Sequence, residues 1–553
     1  MKKIFPAMAL TLLCATANAQ ETYENAPLAS KDLNGTARYV GMGGAMEALG
    51  ADITTMGTNP AGIGMFRRSA ASVSFGMITQ NETNSFANAD KTNMSFDQAG
   101  FVYSMRSGRH SYVNFGFNYS KSKNFNQILS AAGKLNNASQ NKLSGLKNYN
   151  GVYQLKSKNG TLSSEHATFN QLDYLYSNVI LGDRNSILAD QNGNMIGDGT
   201  YGFLVRPTVN SDGSTTYDPT YYNATDYQFS RGNTGYIGQY DFNISGNAND
   251  RIYWGVSFGL YDVHYNNESL YKENIVDGDT GIGSVAVTDV RQITGTGFDA
   301  KLGIIVRPVE ESPFRVGLYT HTPTWYDLRT ANYTRLDNNL NKNYGAHDYG
   351  ENSESYDFKF YTPWRFGVSL GHTVGNYLAI GATYEYADYS SCDIRINDGG
   401  TYDYWGNYYE ESHRDAAMKE SIKQVLKGVS TLKVGVEYKP EKSISLRLGY
   451  NYVAPMYNAN GYKDGTISSY GSFYSSSTDY TNWKATNRIT AGIGYTYNKL
   501  SIDLAYQYSQ TDGEFYPFMS YKDKDNASYD NICNAVNVSN KRNQLLLTLG
   551  YKF

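Results

Sequence analysis

Residues 541–553 read Lys-Arg-Asn-Gln-Leu-Leu-Leu-Thr-Leu-Gly-Tyr-Lys-Phe. From Leu545 the chain alternates. Leu545, Leu547, Leu549, Tyr551 and Phe553 share one face, and Gln544, Leu546, Thr548, Gly550 and Lys552 share the other. A period of two with one apolar face and one mostly small or polar face is the pattern of a strand between lipid and a lumen. The last strand of a soluble β-sandwich alternates in a similar way, so the rest of the chain must decide.

Thirteen further segments repeat the pattern, among them Ile252, Trp254, Val256, Phe258 and Leu260, and Ile444, Leu446, Leu448, Tyr450 and Tyr452. The expected strands are 70–80, 98–106, 110–120, 235–247, 250–263, 289–307, 313–331, 354–373, 375–395, 430–440, 443–455, 485–497, 498–512 and 540–553. Most reach the roughly 9–11 residues that a tilted membrane strand needs. Tight turns such as Ser107-Gly108-Arg109 follow every even strand, and long loops follow every odd one, the longest being 121–234. A sandwich has no reason to place every long loop at one end. The expectation is an all-β fold: a 14-stranded antiparallel transmembrane β-barrel with long, partly helical extracellular loops and periplasmic termini.

The front of the chain fits a secreted barrel. Lys2 and Lys3, an apolar run from Ile4 to Ala15, and Ala17-Asn18-Ala19 make 1–19 a signal peptide. Cys14 follows Leu13, where a lipoprotein signal needs a small residue, so no lipidation is expected. Cys392 and Cys533 are too few for a disulfide framework, though one bridge between them stays open. No later apolar run approaches the ~20 residues of a membrane helix. The mean hydropathy of −0.52 suggests a soluble protein, but alternation hides a barrel from that average. The 51 Tyr residues suit interfacial girdles and wet loops. A net charge of −4 that becomes about −6 without Lys2 and Lys3 argues against nucleic acid as a partner. The expected division is signal 1–19, an N-terminal segment 20–68 and barrel 69–553.

The face assigned to the lumen carries Arg106, Lys301, Arg307, Arg315, Arg365, Lys433, Arg447 and Arg488 beside Glu385, Glu437 and Asp503. Buried charges need partners, so cross-bracing is the first reading of this set. The seven His residues fall in no triad or metal-ligand spacing, and Asp190-x-Asn192-x-Asn194 lacks the Gly and Glu of a calcium loop. No catalytic residue, metal site or cofactor is expected.

Residues 35–64 hold glycine turns at Gly41, Gly43 and Gly44, a helical piece from Ala45 to Leu49, and a turn at Asn59-Pro60-Ala61. Small residues let backbone pass close to backbone inside a narrow barrel. In Arg38 to Ala45, Ala48 to Asp52 and Asn59-Pro60-Ala61-Gly62, placed before the first strand, the chain resembles the FadL family of outer-membrane transporters of hydrophobic compounds. The terminal Phe553 likewise resembles the signal read by the outer-membrane assembly machinery. The resemblance implies an outer-membrane location, contact with its lipid, and a hatch at 20–68 that plugs and gates the lumen. It also implies passive transport of hydrophobic molecules such as long-chain fatty acids, with haem and aromatic hydrocarbons as other cargo. Related barrels instead anchor or shuttle secreted proteins, and that alternative stays open. A monomer is expected.

In the long loop, Phe125, Ile128, Leu129, Ala132 and Leu135 recur at helical spacing, with Leu143 and Leu146 beyond them. A second stretch, capped at Ser163 or Ser164, carries Phe169, Leu172, Leu175, Val179 and Ile180. Two such helices would make an apolar extracellular groove for substrate. A fatty-acid carboxylate would need a cation, for which Arg67, Arg68, Arg365 and Arg447 are candidates. Ser412 to Val429 is expected to form a third loop helix.

Overall fold

Strand pairing closes on itself. In chain order the walls are β1 (Ala70–Gln80), β2 (Thr92–Arg106), β3 (Tyr112–Asn124, carried on by Gln127–Ala138), β4 (Asn223–Ala248), β5 (Ile252–Asp277) and β6 (Thr280–Val306). Then come β7 (Arg315–His321 and Trp325–Leu340), β8 (Ser355–Tyr361 and Arg365–Val374) and β9 (Leu378–Asp388 and Asp393–Tyr402). The ring ends with β10 (Gly428–Glu441), β11 (Ile444–Val453), β12 (Tyr480–Tyr497), β13 (Leu500–Tyr516) and β14 (Val536–Lys552). Each pairs antiparallel with the next, and β14 pairs with β1 from Ala70↔Lys552 to Gln80↔Arg542. In this computed structural model residues 21–553 are described, apart from 151–152, 159–160, 167–171, 174, 177–204, 210, 212–214, 220, 341–345, 350–354, 407, 464–466, 468–476 and 524–525. The expected signal peptide and Asp190 to Asn194 lie outside the described residues.

All fourteen expected strands are present, and the ring closes where β14 pairs with β1. The alternation sets the faces as expected: Leu545, Leu547 and Leu549 are about 40% exposed, whereas Leu546 is 0% and Thr548 4% exposed. Phe101, Phe242, Phe258, Phe298, Phe366 and Leu448 extend the outward apolar surface around the ring. No helix among the described residues is long and apolar enough to cross a membrane, so strands do the crossing.

Several staves bend where the sequence reading ran them straight. Pro323 and Pro363 interrupt β7 and β8, because proline donates no ladder hydrogen bond and is excluded from strand interiors. A short 3-10 turn at Tyr389–Ser391 interrupts β9. Beyond the breaks at Pro323, Pro363 and Tyr389–Ser391, the second half of β7 pairs with the first half of β8, which pairs in turn with the second half of β9.

The long loop departs from expectation. Gln127–Ala138 is a strand, not a helix, paired with β4 from Gln127↔Asn233 to Lys134↔Asp226. The extended edge of β4 offers a ladder that outweighs the chance helical spacing of Ile128, Leu129, Ala132 and Leu135. Ser163 and Ser164 lie in the strand Thr161–His166 and cap no helix. Among the described residues of this loop, Leu172, Asp173, Leu175 and Tyr176 are helical, and so is α3 (Gln140–Asn150), whose first amides Gln140 N and Asn141 N donate to the Glu273 carboxylate at 2.9 and 3.1 Å. Leu129, Leu135, Leu143, Leu146, Leu172 and Leu175 pack with Phe229, Tyr271, Phe515 and Phe518 in one buried cluster. Ile128 is buried as well. The expected groove residues are therefore covered by the chain itself; Phe169, Val179 and Ile180 lie outside the described residues. Lys142, fully buried in this cap, donates to the carbonyls of Asn137, Ser528 and Asp530 and so ties two loops together. Cys392 and Cys533 are both free and buried.

Candidate functional site

Residues 21–66 run inside the ring as a plug. They form α1 (Thr22–Ala29), α2 (Ala37–Gly41) and two 3-10 turns, Ile53–Gly57 and Pro60–Met65. Local side chains fix each piece. Thr36 Oγ1 accepts the Tyr39 amide at 3.1 Å and donates to Asp52 at 2.8 Å, while Asp52 accepts the Thr54 amide at 3.0 Å. The helical piece expected at Ala45 to Leu49 is instead a turn, and the helix lies before the glycines, at Ala37–Gly41. Glycines at φ +63° (Gly43) and +80° (Gly44) reverse the chain and end the helix there. Asn59 Oδ1 accepts the Ala61 amide at 3.2 Å and its Nδ2 donates to Glu47 O at 2.9 Å, so the Asn-Pro-Ala turn is tied to the segment after the glycines.

Ion pairs join plug to wall. The buried Glu47 carboxylate accepts from Lys433 Nζ at 2.7 Å, Thr383 Oγ1 at 2.8 Å and Tyr39 Oη at 3.0 Å. Glu437 accepts from Arg38 at 3.0 and 3.2 Å and from Arg447 at 2.7 Å, and Arg447 also donates to Asp503 at 2.6 Å. Lys301, fully buried, bridges Asp299 and Asp241 at 2.5 and 2.9 Å. The lumenal charges thus brace, Lys433 and Glu437 to the plug and Arg447 and Lys301 within the wall. Arg106 and Arg307 instead donate to turn carbonyls at the short-turn end.

Close contact is made possible by glycine in the wall. Gly371, Gly381, Gly435 and Gly449 stand in one register row across β8–β11. A Cβ on Gly381 would collide with Ala45 O, on Gly435 with Met42 O, and on Gly449 with Gly43 N. The plug backbone lies directly on a strip of wall without side chains. Asn59 and Pro60 use Gly303 and Gly255 of the adjacent strands in the same way.

A cavity of about 300 Å³ remains between the plug and β1, β3 and β10–β14. Towards the long-loop end its wall is Phe125, Tyr265, Val453, Met456, Tyr457 and Trp483; deeper in it is polar and cationic, with Lys123, Arg488 and Arg542 around Asp32. Asp32 Oδ1 lies 3.3 Å from Lys123 Nζ and 3.8 Å from Arg488, and Oδ2 accepts the Asn124 amide at 3.0 Å. Burial alone would raise this carboxyl, but Lys123, Arg542, Arg488 and that amide outweigh it and bring it down to about 2. Burial likewise pushes the Lys31 ammonium down to about 7, against the pull of Asp299.

The Asp32 shift sets a pH dependence. A depressed carboxyl gives its full contribution above the ordinary value of 3.8 and loses it as pH falls towards 2. The plug is expected to lose about 2 kcal/mol of docking over that window. Hydrogen exchange of the plug amides checks this: protection should fall between pH 4 and 2 in the wild type, and the Asp32→Asn variant should lack that part of the fall.

Beside the cavity the wall has a seam. β2 and β3 pair from Arg106↔Tyr112 to Gln98↔Ser120 and then part. Residues 92–97 stay with β1, while Lys121 and beyond follow β4. The plug side chain of Asn34 spans the gap, donating to Asp97 at 2.9 Å and to Lys121 O at 3.2 Å. Outside it the rings of Phe96 and Tyr119 stack at 5.5 Å.

Of the expected cations, Arg365 lines the cavity but is held by Glu385 at 3.3 Å and Ala29 O at 2.7 Å, and Arg447 is held by Glu437 and Asp503. Arg67 pairs with Asp250 at 2.8 Å near the short turns, and Arg68 is exposed there. The third loop helix is shorter than expected, α4 (Ala416–Val425), because Ser412 to Arg414 belong to a strand. Its Met418, Ile422 and Val425 pack over Ala26, Leu28 and Ala29 of α1, and Thr22 Oγ1 meets Ser421 Oγ at 2.9 Å. Phe125 belongs to that cluster too.

No protein-family model and no curated protein matches the chain. Among solved structures it is similar to a FadL homologue of Pseudomonas aeruginosa, at 12% identity over 95% of this chain and 100% of that one, with a TM-score of 0.46. It is similar to the Pseudomonas putida toluene transporter TodX at 10% identity over 95% and 99%, TM-score 0.45. The Ralstonia pickettii toluene transporter TbuX matches at 14% identity over 94% and 99%, TM-score 0.45. At these values the barrel assignment stands on the pairings of this chain itself.

Among the cavity cations missed in the sequence, with Lys31 and Lys123, is Arg542. Its signal was available, since it shares the parity of Gln544 and so faces the lumen. The seam left no local signal, because it arises from which neighbour each strand follows.

Proposed function

We propose that the chain is a FadL-like outer-membrane conduit for hydrophobic molecules, working by passive diffusion with residues 20–68 as its gate. The observation that carries the reading is the cavity beside the plug: one apolar end, one cationic end, and an unpaired seam at its side. A hydrophobic cargo would rest against Phe125, Tyr457 and Trp483, and the parting of β2 from β3 gives it a route sideways into lipid once Asn34 withdraws. A porin would need no plug. Long-chain fatty acids suit both ends of the cavity, and small aromatic hydrocarbons suit its aromatic end alone.

Uptake of a labelled long-chain fatty acid into cells making the barrel tests this, with a Thr431→Trp variant as the blocked control. Thr431 lines the cavity, and a Trp there would fill space that the cargo needs. Uptake by the wild type should exceed that of cells lacking the barrel, and Thr431→Trp should abolish the excess. Wild-type uptake at the background level for fatty acid and toluene alike would contradict the reading.

The second reading, a surface anchor or shuttle for secreted proteins, is favoured by the packed cap of loop side chains over the long-loop end. It requires a protein partner at the loops and no flux through the lumen.

A further inference from the structure

The charges of the cavity do not cancel. Arg488, Ser509 and Arg542 stand in one register row across β12, β13 and β14, and Gln80 of β1 continues it. Adjacent strands lie roughly 4.8 Å apart, so the two arginine backbones are about 10 Å apart with only a serine between them. Arg488 is buried, and both side chains face inward by the alternation of their strands. Arg488 donates to Asn451 Oδ1 at 2.8 Å, whereas Arg542 makes no hydrogen bond and no ion pair among the described residues. Lys123 is the third cation, and Asp32 is the single carboxylate that the three share.

The other charges of the lining are engaged elsewhere, Lys121 lying 5.0 Å over the Tyr236 ring. Glu385 is held by Arg365 and Tyr319, Lys433 by Glu47, and Lys484 by Glu514. Lys31 donates to Tyr261 Oη at 3.0 Å beside Asp299. Asp32 leaves two positive charges unanswered in a cavity walled on its other side by Phe125, Tyr265, Tyr457 and Trp483. Confined charge without a partner is costly, and guanidinium groups are the side chains best shaped to take both oxygens of a phosphate or carboxylate.

We propose that this cavity binds an amphiphile whose head group carries two negative charges, the head lying between Arg542, Arg488 and Lys123 and the apolar body against the aromatic end. The inference rests on the conduit reading and narrows its cargo. A single carboxylate would satisfy half of the excess, and a neutral hydrocarbon would leave all of it.

The test compares three ligands with one saturated chain, tetradecyl phosphate, tetradecanoate and tetradecanol, binding to the purified full-length barrel in non-ionic detergent at pH 8. A phosphate monoester carries close to two charges there. Binding is corrected for partition into empty micelles, and folding of each variant is checked by heat-modifiable gel mobility. The phosphate should bind at least about tenfold more tightly than the carboxylate. Arg542→Gln and Arg488→Gln should each bring that ratio towards one, and Arg542→Lys should keep part of it. Equal affinity of phosphate and carboxylate in the wild type, or an unchanged ratio in Arg542→Gln, overturns the head-group inference. Tetradecanol binding in that case keeps the conduit reading standing, and failure of all three ligands to bind removes both.

Discussion

A barrel carrying Glu437→Ala is expected to keep its wall and lose its grip on the plug. Glu437 is 3% exposed and receives two guanidinium groups, Arg38 from the plug and Arg447 from β11. Removing the carboxylate leaves both without their common partner, and Asp503 can answer only Arg447. Breaking a buried pair from one side costs about 3–5 kcal/mol, because the stranded charge remains buried. The population with the plug undocked should therefore rise by roughly two to four orders of magnitude. Hydrogen exchange of residues 30–66 reports it, while amides of β10–β14 should hold their protection. A double variant, Arg38→Met with Glu437→Leu, should be much milder, since Arg447 keeps Asp503 and no charge is stranded. Unchanged plug exchange in Glu437→Ala would show that the glycine strip, not the ion pairs, holds the segment.

The architecture was legible because a barrel writes one rule many times. Leu545 to Phe553 states it, thirteen other segments repeat it, and the alternation of short and long connections turns a set of strands into a ring. Lumen parity also marked Lys433, Glu437 and Arg447 as braces. Their plug partners Glu47 and Arg38 were not legible, because parity gives a direction and no distance. The glycines of 41–44 pointed to close backbone packing, and the wall answers with Gly381, Gly435 and Gly449. What failed was local pattern set against tertiary pairing. Ile128 to Leu135 have helical spacing by coincidence and become a strand because β4 extends past them. The same covering explains why the expected extracellular groove is a packed cap. Arg542 and the β2–β3 seam depend on which strands meet, which no single segment reveals.

If the plug must move for cargo to pass, a reversible lock between plug and wall should stop the flow. Gly41 of the plug and Gly492 of β12 face each other: a Cβ on Gly41 would lie 3.3 Å from Gly492 Cα, and one on Gly492 3.4 Å from Gly41 Cα. A Gly41→Cys, Gly492→Cys pair therefore falls within reach of a disulfide, and the native Cys392 and Cys533 are buried away from it. The measurement is uptake of labelled fatty acid by cells making the double variant, oxidised and then treated with reductant, with bond formation read from gel mobility. Uptake should fall to background while the bond is formed and return when it is reduced. Uptake that continues unchanged with the bond fully formed would contradict a moving plug, and would mean that cargo passes beside a stationary plug or does not pass through the lumen.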